Sequence, residues 1–383
     1  MRRTVYLDHH ATTPVDPRVL EAMLPCFTTE FGNAASRSHR YGWEAEKAAE
    51  EGRARVAALI GADPREIVFT SGATESNNLA IRGLAYARRP RGGHLVSAPT
   101  EHPSVLESLR QLQEEGFQVT LVPVDRAGRV RVEDVEAAIR EETFLLIFMA
   151  ANNEVGTLHP IRAIGELAER RGILFHTDAT QAVGKVPFDV RADRVHLASL
   201  TGHKMHGPKG CGALYVRRLS PEIPIQRLVQ GGAQERGVRP GTLNVPGAVG
   251  LGMAAEICRK GREEEARRVG ALRDRLKERL FAELDGLQLN GDPERRLPGN
   301  LHVSFAGVEG DALMLALPEL ALSTGSACAS GSLEPSHVLK AMGVRPDLAR
   351  SSLRFGLGRS TTEEEIDFAA ARVIDAVRRL RRG

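Results

Sequence analysis

Cysteine is scarce in this chain. Its 383 residues include four, at Cys26, Cys211, Cys258 and Cys328. They are too far apart to form a C-x-x-C pair, which argues against a disulfide framework or a zinc knuckle and for a reducing cytoplasm. Long apolar runs are missing too. No stretch of about 18 apolar residues occurs, so no membrane-spanning helix is expected. The opening "MRRTVYLDHHATTP" carries no signal-peptide core. A dominant charge is lacking, with 52 Lys and Arg against 49 Asp and Glu. The two signs are interspersed, as in "KGREEEARRVGALRDRLKERL", which reads as a solvated helix face. A direct nucleic-acid or membrane partner is therefore not expected.

Several signatures are also absent. G-x-G-x-x-G follows no strand pattern, and "GPKGCG" lacks the spacing of a phosphate-binding P-loop. H-E-x-x-H does not occur. His9, His10, His203, His206 and the pair His176 with Asp178 are the histidine-based metal candidates, but no cysteine cluster assists them, so no metal is expected. There are no internal repeats.

What is present is an alternation. From about Val15 to Gly250, "EIVFTSG", "HLVSAPT", "FQVTLVPVD", "LLIFMAANN", "ILFHTDA", "VHLASLTG" and "GALYVRR" read as strands. Amphipathic segments such as Glu101–Glu115, Val132–Arg140 and Ile161–Arg171 lie between them. Near-continuous apolar strands separated by helices predict an α/β fold with a mostly parallel sheet covered by helices. Residues 15–250 are expected to form this large domain. Residues 1–14 and 251–383 are expected to form a smaller α+β domain, with a long charged helix to about Leu284, strands in "NLHVSFAG" and "SLRFGLG", and a last helix opened by a capping box at "TTEEE".

Chemistry in parallel sheets collects beyond the carboxyl ends of the strands, and these ends are polar. Lys204 stands at one of them, in "ASLTGHKMHGPKG". It reads either as a surface lysine in a glycine-rich turn or as a Schiff-base nucleophile with a depressed pKa. Asp178 ends "ILFHTD", where it suits a helix cap or an anion against a cofactor's ring nitrogen. Gln181 follows three residues on. "TSGATESNN" reads as an ordinary capped helix (Ser71 with Thr74, or Thr74 with Asn77) or as a phosphate-binding helix start. His102 precedes Pro103 at another strand end, where its ring could stack on a planar group or move protons. Arg354 lies in an alternating strand and is either exposed or a bidentate carboxylate ligand.

Taken together the sequence resembles the cysteine desulfurases of the NifS/IscS type, fold-type I pyridoxal-phosphate enzymes within the class V aminotransferase group. The resemblance runs from "YLDHHATTPVDPRV" to "SSLRFGLGRSTTEEEID". It includes "SGATESNNLAI", "TEHPSVL", "NNEVGT", "HTDATQAVGK", "GHKMHGPKG", "GGAQERGVRPGTLNV" and "STGSACASGSLEPSHVL" in family order. It implies that Lys204 holds pyridoxal 5'-phosphate. Asp178 would pair with the pyridine nitrogen, Gln181 would bond the ring hydroxyl, and His102 would stack on the ring. Ala73, Thr74, Thr201 and His203 would hold the phosphate, and Thr242 would reach the phosphate of the partner subunit in a homodimer. Asn153 and Arg354 would bind the substrate carboxylate.

The implied reaction takes sulfur from L-cysteine. Lys204 would remove the α-proton and Cys328 would attack the substrate sulfur, giving a persulfide on Cys328 and alanine. A loop of Gly, Ser and Ala suits a sulfur that travels, and its attacking form is the thiolate. His102 is a candidate for the thiol proton. Acceptors would be an iron–sulfur scaffold or a tRNA-thiolation relay. A selenocysteine lyase or an aminotransferase on the same fold is the alternative.

Overall fold

The protein is described by a computed structural model over residues 4–88, 93–325 and 336–382. In chain order, β1 (Val5–Tyr6) is followed by α1 (Pro17–Met23), α2 (Pro25–Thr28) and α3 (Arg40–Ile60). The alternating region comes next: β2 (Ile67–Thr70), α4 (Ala73–Ala87), β3 (His94–Ser97), α5 (Pro103–Glu114), β4 (Gln118–Leu121), α6 (Val132–Ala138), β5 (Thr143–Ile147), α7 (Ile161–Arg171), β6 (Leu174–Asp178), β7 (Leu197–Thr201) and β8 (Gly212–Val216). The rest is α8 (Val245–Glu283), β9 (Leu287–Leu289), β10 (Asn300–Phe305), α9 (Gly310–Leu315), β11 (Leu320–Ala321), α10 (His337–Ala341), α11 (Pro346–Arg350), β12 (Ser352–Gly356) and α12 (Glu363–Leu380).

Among the described residues, β2 to β8 form one sheet in the order β2-β8-β7-β6-β5-β3-β4. Strands β7, β6, β5, β3 and β4 run parallel, and β8 pairs antiparallel with both β2 and β7. All seven strands expected from the sequence are in it. Side chains alternate between the faces, as period two requires. Val96, Leu146, Phe148, Phe175, Ala198, Ala213 and Tyr215 join a core with α3, α7 and the start of α8. Their neighbours Leu95, Leu145, Ile147, Leu197 and Leu214 join a second core under α4 and α5. Apolar residues on both faces explain why these strands read as continuous apolar runs.

A further core belongs to the antiparallel sheet β12-β10-β9. Val303, Phe305, Leu353 and Phe355 meet Ile366, Val373 and Val377 of α12 there, and β1 adds Val5. Helix α12 starts with the expected capping box, Thr362 accepting from Glu365 N–H and Glu365 from Thr362 N–H. Helix α8 serves both regions. Its Ala254, Ala255 and Cys258 lie in the first core, and its Leu272, Leu276 and Leu280 in that of the small sheet. The expected boundary at residue 250 falls inside this continuous helix of 39 residues. Helix α8 approaches α3 through paired glycines: a Cβ on Gly252 would lie 2.4 Å from the Cα of Gly52. Only glycine allows so close a crossing at this point.

Candidate active site

Parallel strands joined by helices deliver their carboxyl ends to one edge of the sheet. Motifs distant in sequence therefore line a single cavity of about 450 Å³.

One wall is the turn from β2 into α4. Ala73 and Thr74 line the cavity with Thr201 and His203. Neither side-chain cap foreseen in the sequence forms: the N-cap is Gly72, and no side chain among the described residues caps this helix of 15 residues. The reason is local. Glu75 turns back to accept from Ser71 N–H at 2.6 Å, and Thr70 Oγ1 pairs with Ser76 Oγ at 2.8 Å. The first N–H groups of α4 are left for an anion, where the helix dipole also favours one. Gly212 permits the close approach of β8 behind this turn, since a Cβ there would lie 2.7 Å from the Cα of Gly72. Thr201 Oγ1 donates to the Cys211 carbonyl at 3.2 Å. His203 Nδ1 lies 3.2 Å from Thr12 Oγ1. Burial, then the nearby Lys204 and Lys209, push the imidazole of His203 down to about 4.

Asp178, Lys204 and His102 lie along the same cavity. Asp178 is the buried last residue of β6. Its Oδ2 accepts from Asn77 Nδ2 at 2.8 Å, and its Oδ1 from Thr180 N–H at 3.0 Å. The second bond is the local turn anticipated for an acidic residue after a strand. Lys204 closes the 3₁₀ turn Gly202–Lys204 after β7. Its Nζ donates to the carbonyls of His10 and, at 2.6 Å, Ala11. His102 is the N-cap of α5, with Pro103 at the first helical position. Its Nδ1 accepts from Ser104 N–H at 3.1 Å. Burial holds the imidazole of His102 below its ordinary range against the opposing pull of Asp178. Glu101 beside it is buried, and among the described residues only the N–H of Met149 donates to it. Desolvation drives its carboxyl well above the usual range.

Asn153, Gln181 and Arg354 also line the cavity. Arg354 is no exposed strand arginine, being 1% exposed. It donates to Asp8 Oδ1 at 2.9 Å and to the Asn153 carbonyl at 2.9 Å, and its Nε has no partner among the described residues. Gln181 donates from Nε2 to the His10 carbonyl at 3.0 Å and accepts from Lys185 Nζ at 2.7 Å. The segment from Asp8 to Thr13 is thus tied to Arg354, Gln181, His203 and Lys204 together.

Thr242, expected at the phosphate of the partner subunit, is exposed and does not line this cavity. Cys328 lies outside the described residues. Sequence reasoning passed over Asp8 and Ser104 and the site roles of Asn77 and His10, the latter weighed only as a metal ligand, because each acts through partners remote in sequence or through its backbone. His176, weighed as a metal ligand, instead bonds Asn77. Among the described residues no group of three or more metal-ligating side chains occurs.

A carboxylate, an amine, an imidazole and an uncapped helix start on one cavity fit a phosphorylated pyridine. Comparison with known proteins agrees. The family model for class-V aminotransferases matches residues 5–368. The chain is 58% identical to the cysteine desulfurase IscS of Anaeromyxobacter sp. (strain K), over 100% of this chain and 94% of that protein. It is 52% identical to the cysteine desulfurase of Mus musculus, over 99% of this chain and 82% of that one. Similar solved structures include a NifS-like protein, with TM-score 0.91 and 38% identity over 98% of this chain and 99% of that one. Another is SspA in complex with cysteine, with TM-score 0.84 and 37% identity over 94% of this chain and 100% of that one. This chain belongs to the class-V aminotransferase family, whose members are pyridoxal-phosphate enzymes.

Proposed function

We propose that the chain is a cysteine desulfurase that converts L-cysteine to L-alanine and leaves the sulfur as a persulfide on Cys328. The observation that carries this reading is the full-length identity to cysteine desulfurases together with a cavity that unites Lys204, Asp178, His102 and Arg354.

Pyridoxal phosphate, when bound, supplies an electron sink that makes a substrate α-proton acidic. Lys204 would hold it and later take and return the α-proton. Asp178 would keep a proton on the pyridine nitrogen, its charge stabilised by the donors from Asn77 and Thr180. The start of α4 with Thr74, Thr201 and His203 would hold the phosphate. His102 would cover the ring, and Gln181 would bond its hydroxyl after giving up a contact to His10. Arg354 is preset for a carboxylate by Asp8 and Asn153, which fix its plane without using all its N–H groups. Cys328, as thiolate, would attack the substrate sulfur. The substrate's Cβ–Sγ bond would break as the new S–S bond forms, its electron pair staying with the carbon fragment, which leaves as alanine after protonation.

The working form would be a cytoplasmic homodimer, with Thr242 completing the partner's phosphate site. Exposed apolar side chains support this: Leu20, Leu24, Phe27, Phe31, Tyr41 and Trp43 lie in or beside α1, α2 and α3, and the rings of Phe31 and Tyr41 pack at 5.3 Å. The persulfide would pass to an iron–sulfur scaffold or a tRNA-thiolation relay. The two-unit division near residue 250 belongs to the same proposal, with α8 as the shared element.

The test is turnover of L-cysteine by the holoenzyme, with alanine assayed and Cys328 examined by mass spectrometry. One added sulfur on Cys328, lost in Cys328→Ala while the cofactor's absorption stays, is the expected result. Alanine formation with no sulfur on Cys328 would reject the assigned nucleophile.

A further inference from the structure

The amide of Asn77 decides the state of the groups around it. Asn77 is fully buried, one turn into α4. Its Nδ2 lies 2.8 Å from Asp178 Oδ2 and 2.9 Å from Ser104 Oγ. Its Oδ1 lies 3.0 Å from His176 Nε2. An ionised carboxylate only accepts hydrogen bonds, so the NH₂ group must face Asp178 and the carbonyl oxygen must face His176. His176 therefore donates from Nε2. Both amide protons of Asn77 are then committed, one to Asp178 and one to Ser104 Oγ. Ser104 keeps its own hydroxyl proton, and His102 Nδ1 lies 2.8 Å away to receive it. The backbone N–H of Ser104 points at the same nitrogen from 3.1 Å. With two donors converging there, Nδ1 has no room for a proton of its own. The neutral ring must carry its hydrogen on Nε2.

We propose that Asn77 and Ser104 are positioning residues, a relay from Asp178 to His102 that fixes His102 as the Nε2–H tautomer and presents it to the substrate as a hydrogen-bond donor. The consequence is specific. His102 can take up a proton only at Nδ1, and doing so displaces both donors from Ser104. It is therefore a poor acceptor for the proton of an incoming thiol, a role that sequence reasoning held open. Among the described residues, the charged and titratable groups facing it are Asp178 at the end of β6, Lys204 after β7 and His337 at the start of α10. Asp178 favours the imidazolium, while Lys204, His337 and burial oppose it. The relay adds to the opposing side. What the Nε2–H group contacts rests on the desulfurase reading, whereas the tautomer belongs to the resting protein, so the two can fail separately.

The test is nitrogen NMR of the full-length holoenzyme labelled with ¹⁵N-histidine and free of substrate. His102 is assigned by the signals missing in His102→Gln. A protonated Nε2 and an unprotonated Nδ1 near pH 8 are expected. A proton on Nδ1, or a tautomer mixture, would overturn the proposal without any variant. Ser104→Ala removes one of the two donors. Its His102 should titrate about one pH unit higher, the worth of roughly one hydrogen bond. Ser104→Thr, which restores the hydroxyl, should bring the titration back. An unchanged titration in Ser104→Ala would show that the hydroxyl does not act on the ring. Asn77→Ala should move it in the same direction, and should shift the pH at which the absorption of the bound cofactor changes.

Discussion

Arg354 and Asp8 stand 346 positions apart in sequence and form an ion pair of 2.9 Å at the cavity wall. The arginine is almost completely buried, the aspartate only partly. Losing one partner of such a pair leaves the other as an unpaired charge. Asp8→Asn should lower stability by about 1–3 kcal/mol and should raise KM for L-cysteine about tenfold, with a smaller effect on kcat. Chemical denaturation and steady-state kinetics check the two parts. Arg354→Lys keeps the charge but loses the planar fork, and a rise in KM of at least about tenfold is expected.

Asp178→Asn retains the shape and the contact with Asn77 but removes the anion. Turnover should fall by about a hundredfold or more, the scale on which a preorganised electrostatic partner acts. The cofactor should still bind. Visible absorption of the purified variant and its kcat measure each.

Acid should destabilise this protein over a defined window. Burial lowers the imidazoles of His9, His159, His176 and His196 to about 4, and that of His302 to about 3. Between the ordinary value near 6.5 and these lowered values the unfolded chain binds protons that the folded chain refuses. Stability therefore falls as pH drops from about 6.5 toward 4, and is insensitive to these groups above that range. Denaturant midpoints across pH 4 to 8 test this. His302→Asn, which removes one such group, should flatten the curve.

Gly252 faces Gly52 where α8 crosses α3. Gly252→Ala forces the helices apart at backbone contact, and a loss of about 1–3 kcal/mol is expected. The same substitution at Gly270, where a Cβ meets none of the described residues within 4 Å, should instead be neutral or stabilising. Urea denaturation of the two variants separates packing from helix propensity.

The parts of the site that could be read from sequence are those with local signals. Lys204 and Asp178 each end a strand in a polar motif, and the start of α4 shows its small residues openly. The seven strands were equally legible, because their burial on two faces leaves unbroken apolar runs. Other features depend on distance in sequence. Asn77 looked like a helix cap because its neighbours allow that, yet its partners lie at Ser104, His176 and Asp178. Asp8 is one acid among many until β1 and β12 bring it to Arg354. Helix α8 reads as two textures, small residues and then charges, because its first part is enclosed and its second lies half in water.

The strap from Asp8 to Thr13 reaches Arg354 near the other end of the chain. A ribosome-bound chain that has yet to make β12 lacks the arginine that Asp8 awaits. On the proposed reading, a nascent chain cannot anchor a substrate carboxylate before that strand is made, and so cannot yet liberate reactive sulfur.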